Sequence, residues 1–369
     1  MRIVQLIPEL NEGGVERGVV ELSRELVSRG HESIVISAGG RLAECIETDG
    51  GRHITLDMAG KNPLTALWRA HSLRMALAGL QPDILHARSR VPAWLAVIAN
   101  RTLRIPFVTT VHGFNSVSPY SRVMTCGDRV ICVSGAIKDY IQAHYRVPDE
   151  KITVIPRGVD LEQFDPDRVD RRFMADFSLR YGLDGRYVLT SVGRITQLKD
   201  YETFIRAIGL LKEPIPGILG LIVGGVREDK QKYFASLQSL VESLGLEGEV
   251  VFTGSQAKVA EIYALSDVVV SSSKKPESFG RAAAEALAMN VPVVATAHGG
   301  VLDIVLDGKT GYLFKPGDPD SLAQAVMACR SRRFSGLREF VAERFTLEQM
   351  VEQTLEVYRT VTPSMKRGR

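Results

Sequence analysis

Two glutamates, Glu277 and Glu285, are the residues whose type and spacing most directly suggest chemistry. They lie within residues 276–285, a segment that follows a strand-like run of valines and continues as an alanine-rich helix. In an open parallel sheet, ligands bind at the carboxyl ends of the strands, where a helix start offers backbone N–H groups to an anion. One carboxylate on the loop and one on the helix could each bind paired hydroxyl groups. This combination suits a sugar joined through phosphates to a ribose.

A purely structural interpretation of the same pair is also open. Glu277 could be a solvated loop residue, and Glu285 could pair within its own helix. Two glutamates at a given spacing are common, so the pair alone favours this alternative. Residues elsewhere in the chain are needed to distinguish the ligand-binding interpretation from the structural one.

Length and composition set the class of protein. The 369 residues are too many for one hydrophobic core and indicate two domains. The 45% hydrophobic and 24% charged residues are typical of a globular protein, and a net charge of +3 argues against broad nucleic-acid binding. Four cysteines lie without a Cys-x-x-Cys spacing, so we expect reduced, buried thiols rather than zinc or disulfides: Cys45, Cys126, Cys132 and Cys329.

The expected location is the cytoplasm. The first residues run straight into a strand pattern without the features of a signal peptide, and no run approaches the roughly 18 apolar residues of a membrane span. Residues 61–104 carry an excess of cations interleaved with Trp68 and leucines, which suggests peripheral contact with anionic lipid at the inner face of the cell membrane. The alternative is a helix whose arginines are only solvated. The seven cations are Lys61, Arg69, Arg74, Arg88, Arg90, Arg101 and Arg104.

Strand and helix patterns alternate through two halves of the chain. This predicts the α/β class, with two doubly wound, Rossmann-like domains of parallel strands that face each other across a cleft. We expect an N-terminal domain over residues 1–165, joined by a returning helix in 346–369, and a C-terminal domain over 166–345. The charged segment 159–181 is predicted to be the linker. Two closing helices are expected, one from about Asp320 and one from about Thr346.

Further polar groups and glycines follow the predicted strands of both halves. Gly13 and Gly14 would let backbone N–H groups approach a phosphate at a helix start. Arg194 and Lys199 offer a planar fork of donors and a point charge, the complement of a diphosphate. Gly224 and Gly225 would allow close approach of a nucleoside. Each has a structural alternative, but their joint occurrence at strand ends, together with His112, favours function.

Taken together, these motifs resemble the retaining glycosyltransferases of family 4, also called group 1, which have the GT-B fold. The resemblance runs nearly end to end. Its elements are Gly13-Gly-Val-Glu-Arg17, Val111-His-Gly113, Val133-Ser134, Ile155-Pro-Arg-Gly-Val-Asp160, Val192-Gly-Arg194 with Lys199, Val251-Phe-Thr-Gly254, Ser266-Asp267, residues 277–285, Pro292-Val-Val-Ala295 and Gly299-Gly300. Two positions depart from the family pattern: Arg157 stands where Asn is frequent, and Asp303 where Glu is.

The resemblance implies a role for each group. The second domain would bind a nucleotide-sugar donor and the first the acceptor. Arg194 and Lys199 would hold the diphosphate, Glu277 the sugar hydroxyls and His112 would lie near the reacting centre; these four are the candidate catalytic residues. The implied donor-binding residues are Gly13, Gly14, Gly193, Gly224, Gly225, Val251, Phe252, Ser278, Phe279, Gly280 and Glu285, the last of them on the ribose.

The resemblance also bears on mechanism and substrate. It implies no metal and no further cofactor, with a UDP-sugar as the first expectation and GDP or ADP as alternatives. Asp165-Pro-Asp167 and Asp318-Pro-Asp320 resemble a metal-binding D-x-D, but we expect structural roles, the second as a helix N-cap. The basic face of residues 61–104, rather than the resemblance, favours a glycan or lipid-linked acceptor of the cell envelope. The alternatives are an epimerase or phosphorylase on the same fold, or a ligand-binding protein without chemistry.

Overall fold

The chain folds into two compact units. The computed structural model describes residues 1–11 and 13–362. The first unit is Met1–Gly158 with the helix that begins at Leu347, and the second is Val159–Thr346. Residues 159–165, expected in the first domain, therefore belong to the second unit. The expected returning segment 346–369 extends past the described residues, because 363–369 lie outside them.

Seven parallel strands form the sheet of the first unit, in the order β3-β2-β1-β4-β5-β6-β7. They are β1 (Arg2–Leu6), β2 (Glu32–Ser37), β3 (Arg52–Thr55), β4 (Ile84–Ala87), β5 (Phe107–Val111), β6 (Arg129–Cys132) and β7 (Ile152–Val154). The helices between them are α1 (Gly14–Ser28), α2 (Ala43–Thr48), α3 (Pro63–Leu80), α4 (Arg90–Ala99) and α5 (Gly135–Tyr145). The strand order reverses between β1 and β4, and ligands bind at such a switch point in doubly wound sheets.

Six parallel strands form the sheet of the second unit, in the order β10-β9-β8-β11-β12-β13. They are β8 (Tyr187–Val192), β9 (Ile218–Val223), β10 (Val250–Gly254), β11 (Val268–Ser271), β12 (Val293–Thr296) and β13 (Gly311–Phe314). The helices are α6 (Arg171–Tyr181), α7 (Tyr201–Leu211), α8 (Gln231–Ser243), α9 (Val259–Ala264), α10 (Arg281–Ala288), α11 (Pro319–Arg330) and α12 (Leu337–Arg344). The central strands are continuous apolar runs because both faces of the sheet are covered. The predicted α/β class with two parallel, Rossmann-like sheets is confirmed.

Two helices were missed by the sequence analysis. The supposed linker 159–181 contains α6, whose N-cap Asp170 accepts a hydrogen bond from the Phe173 N–H at 3.0 Å. Its charges lie on the outer side of a helix whose Phe177 packs in an apolar cluster with Leu183. The second missed helix, α12, follows Gly336 near the end of the second unit.

The basic segment 61–104 does not form one charged face, contrary to the expectation. Arg69 is only 5% exposed: its guanidinium donates to the Gly60 and Asn62 carbonyls at 2.6 and 3.1 Å and so fixes the start of α3. Arg88 is 7% exposed because it follows the central strand β4. Among the described residues, no helix is long and apolar enough to cross a membrane.

The cysteines divide into two kinds. Cys132 and Cys329 are buried, as expected. Burial raises the pKa of both thiols to about 12, so they stay protonated and inert. Cys45 and Cys126 are exposed, so for these two the prediction of buried thiols was wrong.

The closing helix α13 (Leu347–Val361) packs on the first unit. Its Val351, Leu355 and Tyr358 are at most 1% exposed, and they lie in one apolar cluster with Ile3 and Ile84 of the central strands. Burial of such side chains contributes about 1.5–3 kcal/mol each. The last helix of the chain therefore completes the core of the first unit.

A buried polar network joins α13 to the sheet. Nδ1 of His86, on β4, lies 2.7 Å from the Tyr358 hydroxyl, and its Nε2 lies 2.7 Å from the Thr110 hydroxyl. Burial, and then the charge of Arg88, lower the pKa of His86 well below its ordinary value of 6.5. His86 is therefore neutral in the folded protein at physiological pH.

We predict a loss of stability on acidification that depends on His86. Below pH 6.5 His86 binds a proton in the unfolded chain but stays neutral in the folded chain. The free energy of unfolding therefore falls by about 1.4 kcal/mol for each pH unit of acidification. His112, Arg88 and Tyr358 are the other titratable groups around this imidazole, and His112 has its pKa lowered in the same way. We expect H86Q to be less stable at pH 7 but to lose less stability between pH 6 and 5.

Urea denaturation at several pH values measures the difference. H71Q, at an exposed position on α3, is the matched control and should follow the wild-type slope. Equal slopes for H86Q and the wild type would mean that His86 protonates normally in the folded chain.

Candidate functional site

A partly buried ion pair lies at the carboxyl edge of the sheet of the second unit. Nζ of Lys199, on the loop after β8, is 2.5 Å from Oε1 of Glu277, on the loop after β11. The Ser273 hydroxyl donates to the same oxygen at 2.5 Å. The lysine and glutamate side chains are 25% and 16% exposed, so both charges lie largely out of water. The structure brings together two of the four predicted catalytic residues.

The ionisation of Glu277 is set by this contact. Burial raises the pKa of its carboxyl group, but the Lys199 ammonium and the hydrogen bonds from Lys199 and Ser273 outweigh that effect. The pKa of Glu277 therefore lies below its ordinary value. A carboxylate that stays ionised accepts hydrogen bonds, so it suits sugar hydroxyls better than proton donation.

Glycines leave room for this pair. A Cβ on Gly193 would lie 2.7 Å from Cε of Lys199, and one on Gly224 would lie 1.8 Å from the Gly193 carbonyl oxygen. Only residues without side chains fit where these loops cross. Gly225 accepts the hydrogen bond of the Ile195 N–H at 3.0 Å, next to Arg194, which is exposed to solvent. The predicted glycines thus position the loop that carries Arg194 and Lys199.

The loop before α10 is held by a second close approach of backbone. The Gly300 N–H donates to the Glu277 carbonyl at 2.7 Å, and a Cβ on Gly300 would lie 2.3 Å from the Ser278 carbonyl oxygen. Phe279 is 2% exposed and anchors the loop in the core. Gly280 has φ +102°, the left-handed region, and caps α10 without any side-chain hydrogen bond. The start of α10 is therefore suited to an anionic ligand.

Glu285 lies one turn into α10 and is engaged within the second unit. Its Oε1 accepts from Nε of Arg281 at 2.8 Å, and its Oε2 accepts from the Tyr263 hydroxyl at 3.2 Å. The residue is 8% exposed. This is the helix pairing considered as the structural alternative. Each carboxylate oxygen can accept a further bond, so a ribose contact is compatible with it.

Val251 and Phe252 lie within β10 rather than at its end. They alternate across the sheet, as neighbours in a strand do, and each is partly buried. Val251 packs against the apolar cluster beneath α6, and the Phe252 ring meets Phe234 edge-on, with centroids 5.1 Å apart. The structure therefore assigns both to packing, and their contact with a base stays a prediction.

The two D-x-D spellings are part of turns and caps. Asp318 is the N-cap of α11 and accepts from the Ser321 N–H at 3.0 Å, as predicted. Asp165 accepts from the Asp167 N–H at 3.0 Å and lies near Arg338. In the part of the chain that the structure describes, no three His, Cys, Asp or Glu side chains gather closely enough to hold a metal ion.

A cavity of about 280 Å³ opens at the carboxyl edge of the first unit's sheet. His112, which follows β5, lines it, and its Nδ1 lies 3.0 Å from Nη2 of Arg157. A guanidinium only donates, so Nδ1 accepts and the ring proton sits on Nε2. Burial, and then Arg157 and Arg88, lower the pKa of His112 well below 6.5. The ring is a neutral donor, and its buried Nε2 has no partner among the described residues.

Gly13 and Gly14 stand at the start of α1, beside the same edge. A Cβ on Gly13 would lie 2.2 Å from Oε2 of Glu16, whereas one on Gly14 would meet nothing within 4 Å. Packing within the first unit therefore leaves room for a side chain at position 14, but not at position 13 unless Glu16 moves. The Gly14 carbonyl accepts a hydrogen bond from Nη1 of Arg157.

Sequence analysis missed the arginines of this cavity. Arg157 was noted only as a departure from the family pattern, yet it contacts both Gly14 and His112. Arg88 and Arg90 were counted among surface cations, although both line the cavity. The available signal was position: both follow β4, and β4 neighbours β1, where the strand order reverses.

Comparison with known proteins agrees with this geometry. The family models Glycosyltransferase Family 4 and Glycosyl transferases group 1 match residues 12–163 and 180–333. The chain is 28% identical to N-acetyl-alpha-D-glucosaminyl L-malate synthase of Bacillus anthracis, with 95% of this chain and 96% of that relative covered. It is 30% identical to D-inositol 3-phosphate glycosyltransferase of Thermomonospora curvata, with 94% and 90% covered.

Two solved structures extend the comparison. A glycosyltransferase from Rickettsia africae matches with TM-score 0.90 and 29% identity, over 100% of this chain and 99% of that one. HepE of Anabaena, in complex with UDP and glucose, matches with TM-score 0.84 and 22% identity over 98% and 100%, which shows the fold alone. Both units, the strand-end motifs and the relatives agree: the chain belongs to the retaining glycosyltransferases of family 4 (group 1), enzymes of the GT-B fold that transfer a sugar from a nucleotide-sugar donor.

Proposed function

We propose that the second unit binds the nucleotide-sugar through the edge that carries the Lys199–Glu277 pair, and that the first unit binds the hydroxyl acceptor. The pair is the observation that carries this proposal. An ion pair largely out of water costs desolvation, and Lys199 and Glu277 together match a diphosphate and sugar hydroxyls. The start of α10, whose N-cap Gly280 has no side chain to accept from the first N–H groups, adds donors for the same ligand.

A UDP-sugar is the first donor to try, with GDP and ADP next. HepE, which shares the fold, binds UDP and glucose. In the proposed arrangement Arg194 and Lys199 hold the diphosphate, while Glu285 accepts hydrogen bonds from the ribose. Glu277 and the backbone N–H groups of residues 278–280 hold the sugar.

Retention by front-face substitution fits these roles. A covalent intermediate needs a carboxylate nucleophile at the anomeric carbon, and in this proposal Glu277 and Glu285 are committed to hydroxyl groups. Instead, the bond from the anomeric carbon to the diphosphate oxygen breaks while the acceptor oxygen bonds on the same face. The acceptor proton passes to the departing phosphate. Arg194, Lys199 and helix N-termini stabilise the charge of that leaving group.

The two glutamates should differ in their effect on kinetics. E285A should raise the Kd of the UDP-sugar roughly 10- to 150-fold, the loss expected for a hydrogen bond to a charged group, with a small effect on kcat. E277A should raise the Kd and also lower kcat, because it releases the sugar and leaves Lys199 without its anion. Isothermal titration calorimetry and nucleotide release measure the two quantities.

E242A is the matched control, because this glutamate is exposed on α8 of the same unit. The melting temperature of E285A tests whether the second unit stays folded when Arg281 and Tyr263 lose their contacts with Glu285. Unchanged affinity and rate in both variants would overturn the proposed donor site. Release of an epimer or of a sugar phosphate would instead indicate the epimerase or phosphorylase alternative, and donor binding without turnover a ligand-binding protein.

The acceptor has two candidate classes. The relatives' names refer to L-malate and to inositol 3-phosphate, both small anions. A cell-envelope acceptor, in polysaccharide, lipopolysaccharide or glycolipid synthesis, is supported instead by a surface on α3. Four apolar side chains of that helix are between 57% and 88% exposed: Leu64, Leu67, Trp68 and Met75.

These four side chains, the α3 stripe, follow helical spacing and so share one side of the helix. Exposed Lys61 and half-buried Arg74 flank the stripe with positive charge. Apolar side chains beside cations suit the surface of an anionic membrane. We propose that the stripe makes peripheral contact with such a membrane, at the inner face of the cell membrane, without spanning it.

Binding to vesicles should depend on the α3 stripe. L67A/W68A removes two solvent-exposed apolar side chains. It should lower the partition coefficient on anionic vesicles about tenfold or more, because these side chains would leave water on binding. Sedimentation with phosphatidylglycerol vesicles measures it, and phosphatidylcholine vesicles should bind less. L179A removes an 81% exposed leucine from α6 and is the matched control. Equal partition of both variants would reject membrane contact through α3.

A further inference from the structure

The cavity of the first unit contains an arginine in an unusual state. Arg88 follows β4, lines the cavity and is 7% exposed. Its Nε has no hydrogen-bond partner among the described residues. Buried N–H donors in proteins are nearly always bonded, and a buried guanidinium is normally paired with an acid. The donor therefore lacks its expected partner.

The surroundings leave the charge of Arg88 poorly compensated. Burial lowers its pKa to about 10, while Tyr358 and Glu21 act in the opposite direction. An arginine in an ion pair would show the reverse shift, because an adjacent carboxylate favours the charged form. A buried cation without close compensation costs free energy unless a ligand supplies the anion.

Other donors line the same space. Nε2 of His112 carries a proton and is also without a partner among the residues described. Arg90, at the start of α4, donates to the Ser121 hydroxyl at 3.2 Å and lies over the Tyr120 ring at 5.6 Å. Among the described residues, the acidic side chain that lines the cavity with them is Glu16. Cations thus outnumber acids.

We propose that this cavity binds an anionic group of the acceptor, a carboxylate or a phosphate, through Arg88, with His112 donating from Nε2. This inference rests on the proposed function and adds a substrate class to it. The Nε–H edge of a guanidinium presents two parallel donors, which match two oxygens of one anion. The volume, about 280 Å³, lies just below the roughly 300–1,000 Å³ of drug-sized ligand pockets, so a small acid fits.

The experiment uses inorganic phosphate and succinate as probes of the full chain. Both should raise the melting temperature of the wild type and shift the Nε–H resonance of Arg88 in a spectrum labelled with ¹⁵N at arginine. R88M should abolish the melting shift that succinate causes, reduce the shift that phosphate causes, and remove that resonance. In the absence of anions R88M should melt at or above the wild-type temperature, because an unpaired buried charge is replaced by an apolar chain. If Arg88 served only to stabilise the fold, R88M would melt below the wild-type temperature.

R101M, at an exposed arginine of the same unit, is the matched control and should respond to the probes as the wild type does. Titration with a UDP-sugar separates the sources of the anion. Unchanged donor affinity in R88M, with loss of the succinate response, supports an acceptor site. A parallel loss of donor affinity would assign the anion to the donor's diphosphate and overturn the inference.

Two further outcomes are distinct. A succinate response that persists unchanged in R88M would overturn the anion site, while the proposed donor site would stand. A wild-type chain that binds no nucleotide-sugar, yet shows the Arg88-dependent phosphate response, would count against the proposed function. The anion site itself would then remain, without its assignment to an acceptor.

Discussion

The ion pair between Lys199 and Glu277 is the contact around which the carboxyl edge of the second unit's sheet is arranged. Two opposite charges are largely removed from water there, and each compensates the other at 2.5 Å. The compensation depends on backbone that approaches closely at Gly193, Gly224 and Gly300. A side chain at Gly224 or Gly300 would meet the backbone of a neighbouring loop, and one at Gly193 would meet the side chain of Lys199. The glycines, which carry no side chain, are therefore as specific to this edge as the charges.

The first unit shows the opposite electrostatic design. There the charges at the sheet edge are mostly of one sign, and the imidazole beside them is kept neutral by Arg157 and by burial. Where buried charges are already paired, the empty site has little uncompensated charge. Where buried cations are unpaired, a bound anion lowers the free energy more, because it supplies the missing opposite charge. The two sheets share a topology, but their edges differ in charge balance.

Much of the fold could be predicted from sequence because strand runs and strand-end motifs are local. The strands that precede His112, Arg194 and Glu277 were predicted, and Asp318 was recognised as an N-cap. Errors arose where burial depends on distant packing. Arg69 and Arg88 look like other surface cations in sequence, and α6 has so many charges that its buried Phe177 was overlooked. The contacts of Arg157 with Gly14 and His112 span 143 and 45 residues, so no local pattern reveals them.

The position of α13 has a consequence for synthesis of the chain. The second unit, Val159–Thr346, is inserted between the two pieces of the first. While the ribosome is still making the insert, Ile3 and Ile84 lack the Leu355 and Tyr358 that cover them. The first unit is begun first and completed last. During that interval its uncovered apolar surface is a natural binding site for a chaperone, and a nascent chain stopped before Leu347 would keep that surface.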